Sequence, residues 1–181
     1  MIFLWSAANW RACAHSREDP EVVASSEAAG LPQMRLRAMT EADLAAVVQI
    51  ERSVYPYPWT AGIFSDCLRV GYHCTVLELD YVLVGYGIIA SGADEAHLLN
   101  VCVREEFRNR GLGRALLSSL LSQAAKAGSK VIFLEVRPVN TAAIRLYESM
   151  GFRQSGRRQG YYQSPGGRED ALVMRRSVEA Q

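Results

Sequence analysis

The sequence predicts one α/β domain with a mixed, mostly antiparallel central sheet, flanking helices and a single β–α–β crossover. Three observations carry this expectation. Residues 72–103 hold β-rich runs separated only by short turns, which requires antiparallel pairing. After them the pattern becomes helix, strand, helix, the order of a crossover connection. Four segments outside the strands place apolar residues at helical spacing. The chain has 181 residues, enough for one sizeable core.

Each element has its own local reason. "MRLRAM" from Met34 alternates long apolar and basic residues, as a strand does. Thr40 caps a helix that runs to about Ser53, with Asp43 completing a capping box. The prolines of "VYPYPWT" interrupt it, and Thr60 caps a second helix to about Val70. "YHCTVLEL", "YVLVGYGIIA" and "AHLLNVCV" are three strands, with turns at Asp80 and "SGADE". Leu112, Leu116, Leu117, Leu120, Leu121 and Ala124 form the stripe of a third helix, which Gly128 stops. "KVIFLEV" is almost wholly apolar, as a buried central strand would be. Asn140 caps a fourth helix striped by Ala143, Ile144, Tyr147 and Met150 and closed by Gly151. "FRQSG" and "ALVMRR" are the closing strands, with residues 157–170 as a long loop between them.

Residues 1–33 differ in character. "MIFLWSAANWRACAHS" lacks the basic start and long apolar centre of a signal peptide. "REDPEVVASSEAAGLPQ" is polar, small and unperiodic, and is expected to be disordered. The domain is therefore expected over 34–181, with 1–33 a dispensable extension or Met34 the true start.

Composition narrows the function classes. Hydrophobic residues make up 49% and the net charge is +1, ordinary for a globular protein and no sign of a general nucleic-acid binder. No apolar run approaches the ~20 residues of a membrane span. Cys13, Cys67, Cys74 and Cys102 form no CxxC pair, and His15, His73 and His97 add no ligand spacing, so no metal site is expected. Reduced, mostly buried thiols point to the cytoplasm.

Residues 108–114, "RNRGLGR", carry the first chemical signal. They follow a strand and open a helix, whose free N–H groups attract anions, and the glycines let a phosphate approach the backbone. Arg108, Arg110 and Arg114 add positive charge, although solvated arginines beside a plain glycine turn read equally well from this stretch alone. A P-loop would need Lys and Ser or Thr where Arg114 and Ala115 stand. A dinucleotide fingerprint would need a third glycine at Leu116 and a strand running straight into Gly111.

The R-x-x-G-x-G arrangement resembles the pyrophosphate motif of the GNAT acyltransferases. "PWT…F" at 58–64, "LLNVCV" at 98–103, "FLEVRPVNTAAIRLYESMGF" at 133–152 and "GREDALVM" at 167–174 narrow the likeness to RimI-type ribosomal-protein alanine N-acetyltransferases. It spans about residues 34–176. It implies the GNAT fold and acetyl-CoA as acetyl donor, held by Val101, Cys102, Val103, Arg108, Asn109, Arg110, Gly111, Leu112, Gly113, Arg114 and Asn140. Its implied substrate is the N-terminal alanine of small-subunit ribosomal protein eighteen, acetylated by a cytoplasmic monomer that needs no metal, nucleic acid or membrane.

Glu135 is the one carboxylate in its strand. Burying it unpaired would cost several kcal/mol, so it either pairs with Arg137 or Arg104 or faces a cleft as a general base. Tyr147 shares a helix face with Asn140. It is a core aromatic or, as the resemblance implies, the acid that protonates the departing thiolate. On the peptide side, Tyr57, Trp59, Tyr161, Tyr162, Glu169 and Asp170 are expected in loops around the cleft, where acids suit a basic peptide tail; the aromatics equally well close the core. Cys102 is expected to pack rather than act as a nucleophile.

Overall fold

The computed structural model describes residues 33–178. The expectation of a disordered extension falls on residues outside these, apart from Gln33, whose backbone exchanges hydrogen bonds with Asp80. The elements are β1 (Met34–Ala38), α1 (Leu44–Val54), α2 (Ala61–Arg69), β2 (His73–Leu79), β3 (Val82–Gly92), β4 (Glu95–Val103), α3 (Leu112–Lys126), β5 (Val131–Val136), α4 (Thr141–Ser149), β6 (Arg153–Ser164) and β7 (Gly167–Ser177). Single 3-10 turns precede α1 and follow β4.

The strands form one seven-stranded sheet in the order β1-β2-β3-β4-β5-β7-β6. Every neighbouring pair is antiparallel except β4 and β5, which the α3 crossover joins in parallel. The expected mixed sheet with one crossover is thus the observed fold. The caps act as anticipated: Thr40 forms a capping box with Asp43, and Thr60 accepts from the Ile63 N–H.

Two cores sandwich the sheet. On one face α3 buries Leu116, Leu117 and Leu120 completely against Ile89, Leu98, Ile132 and Leu134, and α4 packs beside it. On the other, α1 and α2 bury Val47, Ile50 and Phe64 against Val76, Tyr86 and Ile88. At about 25 cal/mol per Å² of apolar surface removed from water, these layers supply the main favourable term in folding.

Two expectations need correction. Residues 157–170 are not a loop. They are the paired ends of a long β6–β7 hairpin that turns at Pro165–Gly166, with Tyr162 opposite Glu169 and Ser164 opposite Gly167. The segment misleads because β6 is an edge strand, held by backbone bonds to β7 and burying little, so it needs no apolar alternation. Nor is β5 buried on both faces. Ile132, Leu134 and Val136 are buried towards α3, whereas Val131, Phe133 and Glu135 are only partly covered. α1 and α2 cover the β2–β4 half of their face and leave the β5–β7–β6 half open. That uncovered half is where the site forms.

Candidate active site

The "RNRGLGR" turn has the backbone geometry that suits an anion. Gly111 is the N-cap of α3 with φ +78°, and Asn109 also lies left-handed at φ +61°. This doubled left-handed turn aims the first N–H groups of α3 outward, where no intrahelical acceptor exists. A Cβ at Gly113 would stand 3.5 Å from Leu146 of α4, an ordinary contact that leaves room for alanine. The arginines are anchored by neutral oxygens. Arg108 donates to the Val103 carbonyl, Arg110 to the Glu106 carbonyl while lying over the Phe107 ring, and Arg114 to Ser149 Oγ at 2.7 Å. None of the three is paired with a carboxylate among the described residues, so their charge is available to an anion. A β-branched residue at Gly111 would carry roughly 1–2 kcal/mol of left-handed strain. Gly111→Val is accordingly expected to raise the acetyl-CoA KM by about tenfold in steady-state titration while altering the peptide KM little.

Beside this turn the sheet parts. The β4–β5 pairing covers only Glu95–Leu98 against Val131–Leu134, although β4 continues to Val103 and β5 to Val136. A register shift against β3 between Ile88 and Ile89 turns β4 at the same level. The backbone of Val101, Cys102 and Val103 therefore faces a wedge between two strands that no longer bond each other. The Cys102 thiol is buried at 3% exposure and pushed up to about 12 by desolvation, so it stays protonated and packs.

Glu135 stands on the open face of β5, opposite Val173. Its partner is neither arginine anticipated from sequence: Arg158 on β6 places Nε 3.0 Å from Glu135 Oε1. Arg137 instead pairs with Glu169 and donates to the Gln163 carbonyl. Tyr147 packs edge-on against Phe152 at 5.8 Å, and desolvation pushes its phenol up to about 12. Tyr162 lies within electrostatic reach of Glu135, Tyr147 and Arg137 alike, and Tyr55 within reach of Tyr147, Tyr162 and Cys102. Electrostatic reach thus links the base candidate, the acid candidate and two further phenols through Tyr162 and Tyr55. Asn140 caps α4, accepting from the Ala143 N–H at 3.2 Å.

On the peptide side, Tyr57 lies exposed in the α1–α2 loop, and Trp59 is half-buried against Phe64 at 5.5 Å. Tyr161 is exposed and edge-on to Tyr162. Asp170 follows the alternation of Leu172 and Met174, which puts it on the α3–α4 face, away from Glu135. There it accepts from the Gly160 N–H and pairs with Arg157.

Three groups near the site were not singled out from sequence: Glu51, Tyr55 and Arg158. Glu51 of α1 is 2% exposed. Its carboxylate accepts from the Tyr86 hydroxyl, from the Trp59 backbone N–H at 2.9 Å and more weakly from Asn100 at 3.5 Å. Burial raises its pKa. Asn100 adjoins Val101 at the β4 wedge and Trp59 belongs to the peptide-side loop, so Glu51 ties the two together. Among the described residues no three His, Cys, Asp or Glu side chains converge as metal ligands.

Residues 44–152 match the acetyltransferase (GNAT) family. The chain belongs to that family. GNAT relatives include the [ribosomal protein bS18]-alanine N-acetyltransferase of Escherichia coli K12, 36% identical over 139 residues, which are 77% of this chain and 94% of that one. The Salmonella typhimurium protein of the same name is 38% identical over 136 residues, 75% of this chain and 92% of that one. Among solved GNAT structures, the E. coli ribosomal-protein-S18-alanine N-acetyltransferase aligns with a TM-score of 0.76 at 34% identity, covering 82% of this chain and 96% of the other. Ard1 from Thermoplasma volcanium aligns at 0.74 and 27%, covering 81% and 99%.

Within this GNAT frame, a signal for Glu51 does exist in the sequence. It is an acidic residue one position after Ile50, on the apolar face of α1, where a solvated glutamate is out of place. Tyr55 and Arg158 carry no such signal, because their roles come from contacts across 46 and 23 residues of chain: Tyr55 reaches the Val101 carbonyl and Arg158 reaches Glu135.

Proposed function

We propose that this chain transfers the acetyl group of acetyl-CoA to the N-terminal α-amino group of a protein, with the N-terminal alanine of ribosomal protein bS18 as its substrate. One observation carries the reading. A proton acceptor, Glu135, and a phenol that burial keeps protonated, Tyr147, both lie within electrostatic reach of Tyr162, near the strand that opens the wedge. The likeness to bS18-alanine N-acetyltransferases over three quarters of the chain supports the substrate. The free thiols of Cys67, Cys74 and Cys102 fit a reducing cytoplasm, where the enzyme acts as a monomer.

The residues fit acetyl-CoA. Gly111 and the arginines at 108, 110 and 114 suit the pyrophosphate, and the backbone of Val101–Val103 suits the pantetheine arm lying in the wedge. When bound, acetyl-CoA supplies a thioester carbonyl that a neutral amine attacks directly, forming the C–N bond and releasing a thiolate. Only the unprotonated amine is nucleophilic, and an α-ammonium has a pKa of ~8. Glu135, acting through one water, accepts the proton the amine sheds. Tyr147 holds a proton for the departing sulfur. Transfer from a phenol to a thiolate is unfavourable in water, where the values are ~10 and ~8.5. Burial raises a thiol as it raises a phenol, as Cys102 and Tyr147 both show, so a desolvated thiolate accepts the proton more readily than one in water.

The test is acetylation of a peptide with the N-terminal sequence of bS18, beside the same peptide with a blocked α-amine and a free lysine. A mass increment confined to the free α-amine is the expected result. Acetylation of lysine alone would assign the site to side-chain amines. Acetyl-CoA binding with no turnover of either peptide would make the protein a cofactor sensor.

A further inference from the structure

The loop between α1 and α2 is held from outside itself. Pro56 and Pro58 fix two of its φ angles and remove two of its backbone donors. Two of the donors that remain both end on Glu51. The Tyr55 N–H donates to the Glu51 carbonyl at 3.0 Å, and the Trp59 N–H donates to the Glu51 carboxylate at 2.9 Å. One residue of α1 thus grips the loop at its start and at its end.

The same side chain reaches the sheet. Its second oxygen accepts from the Tyr86 hydroxyl of β3 and, at 3.5 Å, from the Asn100 amide of β4. Asn100 precedes Val101, whose carbonyl accepts from the Tyr55 hydroxyl at 3.5 Å. Glu51, Tyr55, Val101 and Asn100 therefore close a circuit between the loop and the strand that lines the wedge. Packing alone would favour an apolar residue here, since Val47, Val48 and Ile50 on the same helix are buried. A carboxylate with 2% exposure is costly unless it is fully bonded, and its bonds go to the loop and to the wedge strand. An amine that attacks a thioester in the wedge arrives beside this loop, where Tyr57 stands exposed.

We propose that Glu51 is a positioning residue: it latches the Tyr55–Trp59 loop against β4, so that the loop is in place before the substrate N-terminus arrives. This rests on the N-terminal acetyltransferase reading above.

Steady-state kinetics with the bS18 peptide, beside direct titration of acetyl-CoA, test it. Glu51→Ala frees the loop and is expected to raise the peptide KM by about tenfold, the population shift from one lost bond to a charged group. The acetyl-CoA Kd should hold, because the glycine turn belongs to α3. Glu51→Gln keeps an oxygen for the Trp59 N–H, and its amide meets a Tyr86 hydroxyl that accepts as well as donates, so it should return most of the peptide affinity. A merely structural role instead lowers the fraction of active protein: kcat and acetyl-CoA capacity fall together and the KM values stay put. Hydrogen exchange on the wild type decides even if Glu51→Ala does not fold. The Trp59 amide is expected to exchange as slowly as the amides of α1, and exchange at the rate of an open loop overturns the latch. An unchanged peptide KM in folded Glu51→Ala, or an acetyl-CoA Kd that rises as much, overturns the latch alone. No turnover of the peptide by the wild-type enzyme overturns it together with the N-terminal reading.

Discussion

Glu135→Gln is expected to lower kcat near neutral pH by about 10²–10⁴, the usual cost of losing a general base. The substitution keeps the side-chain shape and removes only the proton acceptor. Acetyl-CoA affinity should survive, because the glycine turn belongs to the start of α3 and not to β5. The defect should shrink as pH rises past ~8, where solvent supplies the neutral amine unaided. The ion pair with Arg158 offers a competing explanation, and the two can be separated. That arginine is 44% exposed, so the pair contributes no more than ~1 kcal/mol to stability. A near-normal pH–rate profile together with a large drop in melting temperature would sink the base assignment.

Glu51→Ala is expected to be the most destabilising single change in the site. It strands the Tyr86 hydroxyl and the Trp59 N–H inside the protein and leaves a cavity beneath α1. Stranded buried donors cost ~1–3 kcal/mol each, so a total of roughly 3–5 kcal/mol is expected. At ~2–4 °C per kcal/mol for a domain of this size, the melting temperature should fall by about 10 °C or more. Glu51→Gln should be milder and pH-dependent. A carboxyl whose pKa is raised on folding contributes stability that is fully present below its unfolded value of 4.5 and is lost as pH rises through the folded value. The wild type should therefore lose ground to the glutamine variant as pH increases through that window. Melting curves of both proteins across the acid range measure this directly, and a gap independent of pH would mean that Glu51 titrates as it does in the unfolded chain.

Much of the architecture is legible in the sequence because its signals are local. The stripe from Leu112 to Ala124, the caps at Thr40, Thr60 and Asn140, and the stop at Gly128 each act within a few residues, and the folded chain uses them all. The glycine turn is legible for the same reason, since it lies within seven consecutive residues. The β6–β7 hairpin is not, because an edge strand need not bury alternate residues, and "RRQGYYQSPGG" has the composition of a loop. Ion pairing is the other blind spot. Arg137 and Arg104 were the natural partners for Glu135 by proximity in sequence or in strand order, yet the partner comes from β6, two strands away across β7. Asp170 shows the limit from the opposite side: its neighbour Glu169 lies by the site, and one step of strand alternation sends Asp170 to the other face.

The breaks in β6 also bear on how the protein behaves at high concentration. Among the described residues the seven-stranded sheet does not close into a barrel and leaves two unpaired edges, and such an edge can recruit a strand from a second molecule. One edge here is β1, only five residues long and carrying Arg35 and Arg37. The other is β6, long enough to template growth at twelve residues, but interrupted twice and bearing Arg153, Arg157 and Arg158. A continuous ladder would need one residue fewer at the first break and two fewer at the second, where β6 sets three residues, Gly160 at φ +55° among them, against one of β7, and such a strand would present a flat, pairable edge. The irregularity on either side of Arg158 thereby guards the sheet against edge-to-edge polymerisation.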